Sequence, residues 1–142
     1  MRWPPILAPE RVALVGHRPA TLGEDVAAEL AQIPAGVRQV LAPEVRERGG
    51  DAVAAELLEA TGGRRRAWLH VDLDALDATA LPAVSYPQRD GLGWEDLLAL
   101  LAPLLAAPNL AGVSVADLDA AHPDAREHAA RVVEALASAA GP

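Results

Sequence analysis

The residues best suited to chemistry in this sequence are two aspartates that close an apolar run. Asp72 and Asp74 lie in the segment 68–77, which reads WLHVDLDALD. If this run is a β-strand, residues two apart project to the same side, so both carboxylates would reach one cation. Two carboxylates this close repel each other, and a hard divalent cation such as Mn²⁺ or Mg²⁺ removes the repulsion. The pair predicts a metal site at the strand end; the alternative is a pair of solvated acidic residues.

Two of the four histidines are further candidates for metal binding. His70 lies two residues before Asp72 and so on the same strand face, and His17 ends the first apolar run. For both, a structural histidine is the alternative to a ligand. His122 and His128 are six apart, a spacing that does not align on one helical face, which predicts separate surface positions.

The elements that would position these residues alternate along the chain. Near-continuous apolar runs predict strands over 11–15, 38–41, 67–73 and 110–115, and helical spacing predicts helices over 22–33, 51–60, 94–106 and 124–139. This order predicts an α/β fold, a three-layer α/β/α domain with a mainly parallel sheet of four strands. Ligands bind such sheets at the C-terminal ends of the strands, which is where Asp72 and Asp74 fall.

Local signals mark three helix ends. Thr21 and Glu24 have the spacing of a capping box at the start of the first helix. Gly62 and Gly63 predict the end of the second helix, and Pro123 predicts the first position of the last one.

Composition restricts the class of protein. The 142 residues suffice for one domain, and 51% hydrophobic residues argue against disorder. The formal net charge of −8 disfavours nucleic acid and anionic membranes as partners. Without cysteine, a disulfide framework and a thiolate metal site are both excluded, and we expect a cytoplasmic protein.

One stretch is long enough to raise the question of a membrane span. Residues 97–116 carry no charge, but Pro103, Pro108 and Asn109 interrupt them. The pattern is typical of a buried helix that leads into a buried strand, so no membrane span is expected.

The succession of motifs resembles the C-terminal half of the arginase, agmatinase and formiminoglutamase family of ureohydrolases. The run HVDLDALD at 70–77 is followed by LPAV at 81–84, by YP at 86–87 and by GL at 91–92 before a helix. Upstream, RVALVGHR at 11–18 is similar to the family's strand that ends in G-L-R. Downstream, GVSVADLD at 112–119 stands in the place of the family's final strand. The resemblance covers nearly the whole chain.

This resemblance implies roles for four acidic residues. Asp72 and Asp74 are similar to two ligands of the family's two-manganese cluster. Asp117 would bind the guanidinium group of the substrate, and Glu24 lies in the acidic loop that contacts substrate, with helix capping as its alternative role. The family reaction is the manganese-dependent hydrolysis of a guanidino compound to urea, so a guanidino small molecule is the expected ligand.

The sequence also departs from the family pattern. Asp77 is followed by alanine where the family has proline, Asp90 replaces the first of two glycines, and Asp117 is shorter than the family's glutamate. The G-G-D-H and D-A-H-x-D segments, which supply the other metal ligands, do not occur in these residues. We therefore expect weak manganese binding and no activity for this chain alone.

Two kinds of function remain open. The chain is either part of a ureohydrolase that needs its missing half from elsewhere, or a non-catalytic binding or interaction module. A magnesium-dependent phosphatase, which also places D-x-D after a buried strand, is a distant alternative. In either main reading, residues 1–142 are expected to form a single arginase-like half domain.

The order of the strands is the last expectation. In the family's complete sheet, the strand that bears D-A-H-x-D lies between the first and third strands of this chain. We expect the gap to close, giving strand order 2-1-3-4, because closure pairs the backbone groups of the interior strands. If the gap stays open, its edges would favour self-association or binding of a chain that carries the missing half.

Overall fold

The computed structural model describes residues 6–18, 24–62 and 65–141, and shows helices alternating with parallel strands. The strands are β1 (Ala13–His17), β2 (Arg38–Leu41), β3 (Ala67–Asp72) and β4 (Leu110–Ala116). The α-helices are α1 (Glu24–Leu30), α2 (Ala42–Arg48), α3 (Gly50–Thr61), α4 (Trp94–Leu105) and α5 (Ala125–Ala140). Short 3₁₀ turns cover Pro9–Arg11 and Leu73–Ala75. The predicted α/β class and its parallel strands are confirmed.

The predicted strand order 2-1-3-4 is wrong. Within the described residues, β1 pairs only with β2 and β3 only with β4, so the structure has two parallel two-stranded sheets. The gap between β1 and β3 stays open.

The C-terminal end of β1 explains why the gap does not close. Gly16 faces the side chain of Leu92, whose Cδ1 would lie 2.8 Å from a Cβ at that position. Leu92 itself forms a parallel bridge with Leu76, after β3. The guanidinium group of Arg18 donates to main-chain carbonyls that also follow β3. The end of β1 is therefore attached to the loop after β3 and not to β3 itself.

The core lies between the sheets and the helices. Val40 of β2 and Val71 of β3 belong to this core, and its largest fully buried side chains are Val45, Val53, Leu73, Leu76, Leu81 and Leu92. Glu56 of α3 pairs with Arg38 of β2 at 3.1 Å and with Arg48 of α2, which ties these three elements together.

Helix α2 was not predicted. It carries Pro43 in its first turn, where proline is tolerated because its missing N–H would have no partner there. The carboxylate of Glu44 accepts a hydrogen bond from the backbone N–H of Leu41 at 2.7 Å, which starts the helix directly after β2.

The predicted helix ends had mixed outcomes. Gly62 ends α3 in the left-handed region, with φ of 63°. Pro123 is not the first helical residue, since α5 begins at Ala125 with Asp124 before it. The capping role of Thr21 and the position of Gly63 lie outside the described residues. No helix in the described ranges combines the length and apolar character that a membrane crossing needs.

Candidate metal centre

The two aspartates of the predicted metal site lie where β3 passes into a 3₁₀ turn. Asp72 is the last residue of the strand, and its Oδ1 accepts a hydrogen bond from the backbone N–H of Asp74 at 2.9 Å. This bond caps the turn Leu73–Ala75. Asp72 and Asp74 therefore do not project from one extended strand, as the sequence suggested; the turn brings their carboxylates together.

Asp117 joins this pair from the neighbouring strand. It directly follows β4, in the left-handed region with φ of 69°, which is uncommon for a residue with a side chain. Its carbonyl oxygen accepts from the backbone N–H of Ser85 at 3.1 Å. One carboxylate oxygen from each of Asp72, Asp74 and Asp117 lies within 4.8 Å of the others. We refer to these three side chains as the carboxylate group.

The carboxylate group is electrostatically suited to a cation. Partial burial raises the pKa of Asp72 above its ordinary value, and the charges of Asp117 and Asp74 raise it further. The hydrogen bond from the N–H of Asp74 and the nearby His70 oppose this rise. A cation between the three carboxylates would remove their mutual repulsion.

The donor set fits a hard divalent ion. Carboxylate oxygens are the ligands that manganese, magnesium and calcium prefer, and such ions take about six of them. Three carboxylates would fill part of the coordination shell of one ion and do not suffice for two ions.

Two backbone contacts hold Asp74 in place. Its Oδ1 accepts from the N–H of Tyr86 at 3.2 Å, and its carbonyl oxygen accepts from Nη1 of Arg18 at 2.7 Å. Arg18 also donates to the carbonyls of Leu76, Gln88 and Arg89. No role of its own was predicted for Arg18; the available signal was an arginine directly after a strand end.

The two histidines proposed as further ligands lie outside the carboxylate group. His70 Nδ1 lies 2.8 Å from Oγ of Ser114, which also accepts from the indole N–H of Trp68 at 3.1 Å. Both ring nitrogens of His17 are buried and, within the described residues, have no hydrogen-bond partner. Burial lowers the pKa of His17 and outweighs the nearby Gln39 side chain and the charge of Glu44, which both raise it. His70, in contrast, is a strand residue whose ring is hydrogen-bonded to Ser114 on the neighbouring strand.

Glu24 is also outside the carboxylate group. It is the first residue of α1 and is exposed to solvent. The structure groups Asp117, the other predicted substrate contact, with Asp72 and Asp74.

A second cluster forms before α5. His122 and His128 were expected to be separate, but their rings meet edge to face at 5.5 Å, because His122 precedes the helix and is not part of it. Asp124 lies within reach of both. Nδ1 of His122 accepts the backbone N–H of Asp124 at 3.2 Å, which occupies that lone pair and leaves the proton of the neutral ring on Nε2. In this arrangement His122 offers no free lone pair to a metal.

A family model described as the arginase family matches residues 1–140. This chain belongs to the arginase family. The predicted family resemblance is therefore confirmed. A comparison with curated proteins finds no match.

Solved structures with this fold include several enzymes of related name. An arginase from Bacillus subtilis superposes with a TM-score of 0.75 at 22% identity, over 99% of this chain and 47% of that one. A hypothetical agmatinase from Burkholderia thailandensis gives 0.69 at 27% identity, over 92% and 39%. A formiminoglutamase from Trypanosoma cruzi gives 0.72 at 18% identity, over 96% and 47%. This arginase-family chain spans less than half the length of each.

Proposed function

We propose that this arginase-family chain contributes three carboxylates to a manganese-dependent ureohydrolase site and does not hydrolyse guanidino compounds by itself. The observation that carries the proposal is the convergence of Asp72, Asp74 and Asp117 within 4.8 Å at the C-terminal ends of β3 and β4. Parallel sheets bind ligands at this edge. A cytoplasmic location and a single half domain over residues 1–142 stay part of the proposal.

Each carboxylate has a role in this proposal. Asp72 and Asp74 hold the cation. The backbone N–H of Tyr86 donates to the Asp74 carboxylate, and the guanidinium of Arg18 donates to the Asp74 carbonyl oxygen, so both the side chain and the backbone of Asp74 are held. Asp117 faces the same space and receives the planar guanidinium of the substrate, which a carboxylate binds through paired N–H donors. When bound, manganese supplies Lewis-acid polarisation of water and substrate.

The inactivity of the chain follows from the number of ligands. A two-ion cluster that activates water needs a nearly closed ligand set, and the two proposed ligands, Asp72 and Asp74, leave most positions to solvent. The remaining ligands would have to come from residues outside this sequence.

Manganese binding to the full chain tests the proposed site. Electron paramagnetic resonance of free Mn²⁺ should give a dissociation constant of roughly 10⁻⁴ to 10⁻³ M, the range of incomplete oxygen sites. Asp72→Asn and Asp74→Asn should each weaken binding further. Asp119→Asn is the matched control, because Asp119 caps a turn through the N–H of Ala121 and lies outside the carboxylate group.

Two results would contradict this proposal. Binding that is unchanged in both Asp72→Asn and Asp74→Asn would place the ion elsewhere. Micromolar affinity would mean that further ligands complete the site and that the chain is not deficient.

A non-catalytic interaction module is the second candidate function. The open edges of β1 and β3 favour it, since unpaired strand edges readily accept another strand. Neither proposal includes nucleic acid as a partner, because the net charge of −8 would repel its phosphates.

A further inference from the structure

Two histidines and one aspartate come together where the chain enters α5. His122 lies in the turn before the helix, Asp124 directly precedes the first helical residue, and His128 lies in the first helical turn. One ligand atom from each of the three lies within 4.8 Å of the others. We call these three side chains the histidine cluster. It shares no residue with the carboxylate group.

Backbone hydrogen bonds fix the positions of the residues that carry the histidine cluster. The N–H of His122 donates to the carbonyl oxygen of Asp119 at 3.2 Å, and the carbonyl oxygen of His122 accepts from the N–H of Ala125 at 3.0 Å. The N–H of His128 donates to the carbonyl oxygen of Asp124 at 3.1 Å, which is a helical bond. The cluster is therefore built on successive hydrogen-bonded turns.

The carboxylate of Asp124 is not used to cap the helix. Aspartate directly before a helix commonly accepts a hydrogen bond from a backbone N–H of the first turn. Within the described part of the chain, the side chain of Asp124 makes no such bond at the start of α5. Asp124 is exposed to solvent, and its carboxylate lies beside the two imidazole rings. This carboxylate is thus available to a cation.

The separation of the two rings is close to that of two imidazoles on one metal ion. The ring centroids of His122 and His128 lie 5.5 Å apart, with an angle of 73° between the ring planes. With zinc–nitrogen bonds of about 2.0 to 2.1 Å and tetrahedral angles, the centroids of two bound imidazoles lie roughly 5 Å apart. Ligand atoms on such an ion lie about 3.4 Å from one another, so the cluster contracts by at most about 1.4 Å on binding. Side-chain rotations at this partly exposed position are enough for that contraction.

One hydrogen bond has to be given up for a metal to bind. Nδ1 of His122 accepts the backbone N–H of Asp124 at 3.2 Å, which occupies its lone pair. A half turn of the ring about its Cβ–Cγ bond exchanges Nδ1 with Cδ2 and frees this lone pair. The half turn leaves the ring centroid in place, so the separation from His128 is kept. Its cost is small, because the bond is exposed and water can accept from the N–H of Asp124 instead.

Charge and ligand type specify the ion. Residues 119–128 carry three acidic side chains, Asp119, Asp124 and Glu127, against one basic side chain, Arg126. This negative charge attracts a cation and offsets the positive end of the dipole of α5. Imidazole nitrogen suits zinc, copper and nickel, whereas magnesium and calcium prefer oxygen. Two imidazoles and one carboxylate leave the fourth position of a tetrahedral zinc ion to water.

We propose that the histidine cluster binds one Zn²⁺ ion and thereby fastens the turn before α5 to the first turn of that helix. The chain just before the cluster is paired with the segment that follows β3. Leu118 forms an antiparallel bridge with Val84, and the N–H of Asp119 donates to the carbonyl oxygen of Ala83 at 3.0 Å. Zinc would therefore stabilise the whole connection from β4 to α5. The proposal depends neither on manganese nor on hydrolysis.

Titrations of the untagged full chain with Co²⁺ and Zn²⁺ test the proposal. Co²⁺ accepts the same kinds of ligand and reports a tetrahedral site through its visible absorption, and Zn²⁺ should displace it at one ion per chain. His122→Ala and His128→Ala should each weaken zinc binding at least about tenfold, since even groups that only support a metal ligand contribute this much. Zinc at about one hundred times its dissociation constant should raise the ratio of folded to unfolded chain about a hundredfold.

Two variants are matched controls. His70→Ala removes an exposed histidine outside the histidine cluster, and Glu127→Gln removes an exposed acidic side chain next to His128. Both should bind zinc with the affinity of the wild type. Asp72→Asn should weaken manganese binding and leave zinc binding unchanged, so failure of the zinc site and failure of the proposed manganese site are distinguishable.

Four results would overturn the proposal. An absence of binding up to millimolar zinc would show that the cluster is not a metal site. Zinc affinity that is unchanged in both His122→Ala and His128→Ala would place the ion elsewhere. Loss of zinc binding in Asp72→Asn would assign the ion to the carboxylate group. One zinc ion for two chains, together with dimer formation, would mean that histidines of two copies share the ion.

Discussion

Arg18, which follows β1, donates a hydrogen bond from Nη1 to the carbonyl oxygen of Asp74 at 2.7 Å. The same guanidinium reaches the carbonyls of Leu76, Gln88 and Arg89, at 2.9 to 3.0 Å. One side chain thus joins the end of β1 to the loop that carries a candidate metal ligand. This contact holds the backbone of Asp74 against the end of β1.

Replacing this arginine should affect stability and metal binding together. Arg18→Ala removes four bonds from a charged donor, partly in contact with solvent, and should lower the free energy of unfolding by about 2 to 4 kcal/mol. Urea denaturation measures this loss. Manganese affinity should fall as well, because Asp74 loses its support. Arg126→Ala, at an exposed position on α5, is the control and should change stability by less than about 0.5 kcal/mol.

The raised pKa of Asp72 predicts a pH dependence of stability. Its ordinary value is 3.8, and the folded state holds the proton to higher pH than the unfolded state does. Between the pKa of Asp72 in the unfolded state and its higher pKa in the folded state, the folded protein binds more protons. The free energy of unfolding therefore falls as the pH rises through this interval. For the metal-free protein, we expect the denaturation midpoint to decrease with rising pH above about pH 4, and to decrease less in Asp72→Asn than in the wild type. Equal pH profiles would show that the carboxylate group does not strain Asp72.

Gly91 should not accept a side chain. A Cβ at this position would lie 2.6 Å from the backbone nitrogen of Asp77 and 2.7 Å from the carbonyl oxygen of Ala75. Gly91→Ala should therefore displace the loop after β3 and cost about 1 to 3 kcal/mol. At Gly93 a Cβ would meet only a side-chain oxygen of Asp96, at 3.3 Å, so Gly93→Ala should cost clearly less in the same thermal or urea denaturation.

The isolated chain should release no urea. With Mn²⁺ and either arginine or agmatine, a colorimetric urea assay should give the rate of the protein-free blank, because Asp72 and Asp74 alone cannot hold a two-ion cluster. Manganese-dependent turnover that is lost in Asp72→Ala would show that the chain is active alone.

The sequence determined the local features of this protein. Apolar runs gave the four strands to within two residues at their starts, and alternation with helical segments gave the parallel α/β class. The motif around Asp72 and Asp74 identified the arginase family, since the spacing of these residues survives although the flanking proline and glycine do not. Helix α2 was not predicted. A proline such as Pro43 occurs both in turns and in the first turn of a helix, so it does not distinguish the two.

The tertiary structure decided what depends on contacts distant in sequence. The order of the strands could not be read from the chain, because hydrogen bonds from Arg18 across more than 50 residues hold β1 to the loop after β3. Asp117 joined Asp72 and Asp74 because β4 pairs in register beside β3, so both strands end at the same edge. The meeting of His122 and His128 depended on where α5 begins, a boundary that the pattern placed one residue too early. Periodicity reports burial along one element, whereas these contacts depend on how separate elements pack.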